Sequence, residues 1–277
     1  TTVTASGHSY TNYIYNNDAK PGVDGTETAT CDNLCGATDT RVAEGTALPA
    51  DAVAEIGGTY YPTIQQALEN AAANQVITML ADSDESDKIL LVMNNVTLDL
   101  NGYTLTAEYL ITTSGGANVK DTTNGKGLLK IAKNKLTIVD VEQLPVWIEE
   151  DGGFRFAKVD MTTYMIAQNS SGYAYVGFYL QGTDPNYVVA KELADGAADG
   201  DGLVVQMLMS YTNDKGTKSE LAFTVPADVL QNYAANYTVN ALTMAINGLN
   251  TISNVEFRAV IYYGNAGIYS NVLPYGA

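Results

Sequence analysis

Between Val76 and Thr137, short runs of alternating apolar and polar residues recur at a nearly constant interval. One set starts at Val76, Val96, Ala117 and Leu136, with separations of 20, 21 and 19 residues. A second starts at Ile89, Tyr109 and Leu128, with separations of 20 and 19. Alternation is the pattern of a half-buried strand. A repeat of this length marks a solenoid, whose units bury their apolar faces on their neighbours. The run VTLDLNGYTLT (96–106) has two readings. Asn101-Gly102 suits a type I′ hairpin turn, so a meander of hairpins is one. The period favours the other, in which Asn101-Gly102 is a corner between two sheets.

Upstream, AEIGGTYY (54–61) reads as strand, turn and strand, and QVITML (75–80) as a strand. Between them, TIQQALENAAA (63–73) predicts a helix. Thr63 is a suitable N-cap, and Ile64, Ala67, Leu68 and Ala71 fall on one face.

Downstream, QLPVWIEEDGGFRF (143–156) reads as a linker into a second unit. Strand-like runs follow at 153–161, 162–168, 173–182, 203–212, 218–226, 239–248, 255–264 and 267–275, separated by turns such as NDKG and GNAG. Many short strands with regular turns predict a β-sandwich of immunoglobulin or fibronectin type. PADVLQNYAANY (226–237) reads as a short helix or a long connection. Residues 1–48 are polar, show little periodicity, and need a staple or a neighbour to stay ordered.

The expected fold is therefore mainly β, in three parts. Residues 1–48 form a small ribbon-like module. Residues 49–139 form a short right-handed parallel β-helix with an N-terminal capping helix. Residues 140–277 form a sandwich.

Composition narrows the function. Of 277 residues, 46% are hydrophobic, enough for real cores. Fourteen Lys and Arg stand against 31 Asp and Glu, a formal net charge of -17. Such a surface repels nucleic acid and anionic membranes. No run approaches the roughly 20 apolar residues of a membrane-spanning helix. The 19 tyrosines, against five phenylalanines and one tryptophan, suit solvent-facing strands. The polar opening TTVTASG is not a secretory signal, and the chain reads as a processed extracellular or cell-surface segment.

Two stretches carry a resemblance. GHSYTNYIYNNDA, DGTETATCDNLCGATDT and AEGTAL resemble a repeat found in surface proteins of gut Firmicutes and their relatives. AEIGGTYYPTIQQALENA and NNVTLDLNGYTLT resemble the start of pectin-lyase-like parallel β-helix domains, where the helix caps the solenoid. The resemblance covers about the first 110 residues and implies architecture rather than activity. In that repeat a His, a middle Cys and a terminal Cys pair look like a zinc-ribbon ligand set. Here the middle position carries Lys20-Pro21, and the pair, Cys31 and Cys35, is spaced C-x₃-C. The resemblance thus implies a vestigial zinc site of His8, Cys31 and Cys35. A structural zinc wants four ligands, and Asp18, Asp24, Asp32 or water would have to supply the fourth. The competing readings are a Cys31–Cys35 disulfide in an oxidising compartment, which is the sharper expectation, and free thiols.

Other chemistry is less well supported. The acidic runs DSDESD (82–87) and DGAADGDG (195–202) read as solvated loops, the second a candidate Ca²⁺ site through Asp195, Asp199 and Asp201. Lys120, Lys126, Lys130, Lys133 and Lys135 lack the acidic cluster that a polysaccharide lyase would need. Tyr173, Tyr175, Tyr179, Tyr262, Tyr263 and Tyr269 are candidate ligand contacts, Tyr173, Tyr175 and Tyr179 sharing one strand face. A Tyr-rich ladder or core is the structural alternative. The expected role is non-enzymatic: structural or adhesive, with glycans or surface proteins of host or bacterium as partners. The rivals are a fragment of a carbohydrate-active enzyme and an inert stalk spacer.

Overall fold

The computed structural model describes residues 7–123, 125–139, 141–158, 160–169, 173–181, 203–225, 242–246, 249–264 and 266–275. It is mainly β, as expected. Among the described residues no helix is long and apolar enough to cross a membrane.

The first part is an antiparallel sheet of β1 (Ile14–Tyr15), β2 (Thr26–Thr30) and β3 (Thr38–Val42), with β2 in the middle. Ala29, Cys31 and Ala43 are its buried hydrophobic residues. Polar contacts do much of the joining. Tyr13 donates to Asp39 at 2.5 Å, and the Arg41 guanidinium lies 3.7 Å above the Tyr13 ring. The Asp18 carboxylate accepts both the amide and the hydroxyl of Thr26 at 2.6 Å, and these two donors hold it below its ordinary pKa.

β4 (Ala54–Ile56) and β5 (Thr59–Tyr61) form a hairpin, followed by α1 (Ile64–Asn70). Thr63 caps α1, its hydroxyl accepting the Gln66 amide at 3.1 Å. Ile64 and Ala67 are buried and Leu68 and Ala71 pack against the same core, the face the sequence predicts. The helix is shorter than expected because Ala71 is already extended, at ψ 125°.

β6 (Val76–Met79), β7 (Ser83–Val92), β8 (Thr97–Asp99), β9 (Thr104–Thr112), β10 (Asn118–Lys120), β11 (Leu128–Lys130) and β12 (Leu136–Thr137) make two parallel stacks. In one, Val76 lies opposite Thr97 and Thr97 opposite Asn118. In the other, Ile89 lies opposite Tyr109, Thr104 opposite Leu128, and Leu110 opposite Leu136. β8 and β9 belong to different stacks, so Asn101-Gly102 is a corner and not a hairpin turn. Both residues have positive φ, 47° and 84°. Leu136 is corrected: it does not continue the run Val76, Val96, Ala117 but joins β9 in the second stack. The turn at Lys133–Lys135 keeps the chain in this stack, since β11 before it and β12 after it both pair with β9. Ile77, Leu98, Leu105, Leu110, Val119 and Leu129, all fully buried, fill the space between the stacks.

The stretch 143–156 is a β-hairpin, not a linker. β13 (Leu144–Ile148) and β14 (Gly153–Ala157) pair antiparallel, and β14 pairs with β11 through Phe154 and Leu129. Alternation sends Phe154 and Phe156 into the core between the stacks, and Leu144 and Val146 into the next core.

The remaining strands form two antiparallel sheets. β15 (Asp160–Asn169), β16 (Tyr173–Gln181) and β19 (Leu242–Ile246) make one, in the order β15-β16-β19. β17 (Leu203–Thr212), β18 (Lys218–Thr224), β20 (Ser253–Tyr263), β21 (Ala266–Tyr269) and β22 (Leu273–Pro274) make the other, with β18-β17-β20-β21 in order and β22 also on β20. Met161 and Val176 of the first share a core with Val205, Met207, Phe257 and Ile261 of the second. The expected helix or connection at 226–237 lies outside the described residues.

Candidate functional site

His8, Cys31 and Cys35 meet at one end of the first sheet. Cys31 follows β2 directly, and the tight turn 32–36, with Leu34 and Gly36 at positive φ, returns Cys35 toward it. His8 is brought in from upstream: the Asp32 amide donates to the Ser9 carbonyl at 2.8 Å, and the Asp32 carboxylate takes the hydroxyls of Ser9 and Thr11. His8 Nδ1 lies 3.2 Å from Cys35 Sγ, and one ligand atom from each of the three residues lies within 4.8 Å of the others. The two sulfurs are unbonded in this structure, Cys31 buried and Cys35 exposed. The Ser9 amide, His8, Cys35 and the Asn33 amide stabilise the Cys31 thiolate against the opposing effect of burial and lower its pKa to about 6.

This donor set suits a soft tetrahedral cation. Bonds of about 2.0 Å to imidazole and 2.3 Å to thiolate give a ligand–ligand edge of about 3.6 Å, near the 3.2 Å between His8 Nδ1 and Cys35 Sγ and inside the 4.8 Å that bounds all three. The thiolate, not the thiol, is the ligand, and the two amides aimed at Cys31 favour that form. The three aspartates considered as a fourth ligand are engaged otherwise. Asp18 holds Thr26, Asp24 takes the Ala47 amide, and Asp32 holds Ser9 and Thr11.

The acidic run 82–87 is corrected. Residues 83–87 are the first half of β7 rather than a loop; Asp84 and Asp87 are exposed as expected, but Glu85 is only 5% exposed. Its carboxylate accepts the Ile64 amide at 2.6 Å and the Gln65 amide at 3.1 Å, under the start of α1. Two other buried carboxylates, missed from sequence, also bind backbone. Asp99 takes the amides of Asn101 and Thr122. Asp121, fully buried, takes the amides of Gly102, Thr123, Gly125 and Gly127 and the Thr123 hydroxyl. Burial opposes its charge, but those donors prevail and hold its pKa below the ordinary value. Gly127 is required for the close approach, since a Cβ there would lie 2.8 Å from Leu100 Cβ. Their common signal is a short Asp-x-[Asn/Thr] turn at a corner between the two stacks.

Of the lysines, Lys133 lies 5.3 Å above the Trp147 ring and Lys135 3.6 Å above that of Tyr109. Asp195, Asp199 and Asp201, the candidate Ca²⁺ ligands, lie outside the described residues.

The candidate tyrosines separate. For Tyr173, Tyr175 and Tyr179 the backbone register alone is described: they lie in β16 opposite Asn169, Ala167 and Thr162. Tyr263 turns inward. Its ring meets Phe154 edge-on at 5.6 Å and its hydroxyl reaches the Lys133 carbonyl, so it is structural rather than ligand-facing. Tyr262 and Tyr269 come together on the opposite, solvent-side face, edge-on at 6.2 Å. Burial, then the hydrogen bond to Tyr269, raises the Tyr262 pKa to about 12. Arg258 lies 4.6 Å from the Tyr269 ring and 3.3 Å from Glu220, a grouping that sequence reading missed because its members come from β18, β20 and β21.

No family model and no curated protein matches the chain. A solved structure, the solution structure of R. palustris CsgH, aligns at 12% identity over 42% of this chain and 91% of that one, with a TM-score of 0.20. A likeness of that size carries no argument about fold or function.

Proposed function

We propose that this chain is a non-enzymatic segment of an extracellular, modular surface protein, structural or adhesive in role, with glycans or surface proteins as partners. Its middle part is a short, helix-capped right-handed parallel β-helix, and its C-terminal part an immunoglobulin- or fibronectin-like sandwich. The parallel registers Val76–Thr97–Asn118 and Ile89–Tyr109 support the first assignment. The core shared by two antiparallel sheets supports the second.

One observation carries the functional reading: among the described residues, the buried acids are spent on architecture. Glu85, Asp99 and Asp121 direct their carboxylates at backbone amides. Catalysis by paired carboxylates needs them facing each other across a cleft. In the same reading, His8, Cys31 and Cys35 hold a structural zinc ion, with water as the fourth ligand, that staples a module with little core of its own.

The test pairs two assays on the full chain. A glycan and mucin binding panel is expected to give hits, and a polysaccharide cleavage panel none. Cleavage without binding overturns this order in favour of the enzyme fragment, and silence in both overturns it in favour of a stalk spacer.

A further inference from the structure

The solvent-side face of β17, β18, β20 and β21 is a built surface. On β20, Phe257, Ala259 and Ile261 face the core, so Arg258, Val260 and Tyr262 face outward. Cross-strand pairing places Tyr269 beside Val260 and Gly267 beside Tyr262. Gly267 is needed here: a Cβ would sit 2.8 Å from the Tyr262 ring and 2.9 Å from Val260 Cγ2, so the ring packs against bare backbone. Val260 is fully buried although it is on the outer face. Tyr269, at the edge, is 47% exposed.

The polar groups around this aromatic pair are fixed. Glu220 Oε2 accepts from Arg258 Nη2 at 3.3 Å and from Ser210 Oγ at 3.1 Å. Arg258 is held over Tyr269, and its Nε is a buried donor without an acceptor. An orphaned donor of this kind is costly, and it marks a place where an added oxygen acceptor is favourable once side chains adjust. Register places Glu256 and Glu220 on either side of Ser210, giving the site two carboxylates and one guanidinium.

We infer that this face binds a neutral pyranose glycan, with the C–H face of one ring on Tyr269 and its hydroxyls on Arg258 and Glu220. The inference rests on the glycan part of the proposed function. A sugar ring has an apolar face for an aromatic plane and vicinal hydroxyls that both donate and accept. A guanidinium beside a carboxylate satisfies that pair, one group donating and the other accepting. The ligand is neutral because the local carboxylates outnumber the cation and the whole chain carries -17, so uronates and sulfated sugars are repelled. The surface is preorganised, which limits the entropy cost of binding.

The test is affinity electrophoresis of the full chain through gels containing neutral polysaccharides (galactomannan, xyloglucan, mucin-derived neutral glycans) or anionic ones (polygalacturonate, heparin). Retardation is expected in at least one neutral gel and in neither anionic gel. Tyr269→Ala is expected to weaken it about tenfold, and Glu220→Gln, on an exposed edge strand, several-fold. Tyr60→Ala, outside this face, is expected to leave it unchanged, and circular dichroism melts confirm that each variant is folded. Neutral-glycan retardation that survives both Tyr269→Ala and Glu220→Gln overturns this site while leaving the glycan reading intact. Preferential anionic binding overturns the charge argument and with it the inference. No retardation in any gel overturns both this site and the glycan reading.

Discussion

The Glu85 carboxylate sits 2.6 Å from the Ile64 amide, although 21 residues separate them. It also takes the Gln65 amide, so a strand supplies the second cap of a helix whose first cap, Thr63, is local. A carboxylate at a helix N-terminus is favoured by the free amides and by the helix dipole. Glu85→Ala leaves one buried and one half-buried donor without partners and is expected to cost about 2–3 kcal/mol. Thr63→Ala is expected to cost about 1 kcal/mol. The double variant is expected to depart from additivity, since both caps serve the same turn. Urea denaturation of the three variants measures this, and a Glu85→Ala variant as stable as the parent contradicts the role assigned to Glu85.

Asp121 gives the chain an acid-sensitive corner. Its folded pKa is depressed, so its contribution to stability is fully present above the unfolded value of about 4 and is lost as pH falls through the folded value. The expected outcome is that the parent loses stability below about pH 4 more steeply than Asp121→Asn does. At pH 7 the Asp121→Asn variant is expected to be less stable than the parent, because an amide oxygen cannot serve so many donors. Denaturant midpoints for both proteins across pH 3 to 7, on the order of one point per half unit, measure the difference. Parallel curves exclude Asp121 as the source of the acid sensitivity.

Local signals were legible in the sequence, and long-range ones were not. Thr63 and the apolar positions 64, 67, 68 and 71 announce α1 because capping and helical spacing are local. The interval near 20 announces the parallel stacks because each layer repeats the burial of the one below. Glu85 could not be read as buried: its partners lie a full layer upstream, and a Ser-Asp-Glu-Ser run looks like loop. The stretch 143–156 looked like a linker because Pro145 and the Glu149–Gly153 turn suggest irregular chain, whereas alternation across Phe154 and Phe156 builds a hairpin. Tyr262 and Tyr263 are adjacent in sequence, but strand period places one on the solvent-side face and the other against the core.

The His8, Cys31 and Cys35 grouping predicts one zinc ion per chain. Titration of reduced, chelator-treated protein with zinc is expected to saturate at one equivalent and to raise the thermal stability of the N-terminal module. Cys31→Ser is expected to abolish binding, since it removes the buried thiolate. His8→Ala removes one of three protein ligands and is expected to weaken binding at least about tenfold. Competition with a colorimetric chelator measures all three proteins. No zinc uptake by the reduced parent, or a stoichiometric disulfide in protein purified without reductant, removes the metal staple and restores the disulfide expectation.

Phe154 tests whether the 143–156 hairpin is integral to the fold. Its ring meets Trp147 edge-on at 5.1 Å and Tyr263 at 5.6 Å, while its backbone pairs β14 to β11. It therefore touches both the parallel stacks and the antiparallel sheets. Phe154→Ala leaves a cavity at that junction and is expected to cost about 3–5 kcal/mol. Trp147 is the only tryptophan, so its fluorescence reports on this junction alone. If the hairpin is integral, fluorescence and far-ultraviolet circular dichroism should lose their native signals together in the parent, and both transitions should move to lower denaturant in the Phe154→Ala variant. An early fluorescence transition that leaves the circular dichroism unchanged would instead mean a detachable linker. The packing argues for the first outcome, because removing the hairpin would expose Leu129 in one core and strip Leu144 and Val146 from the other.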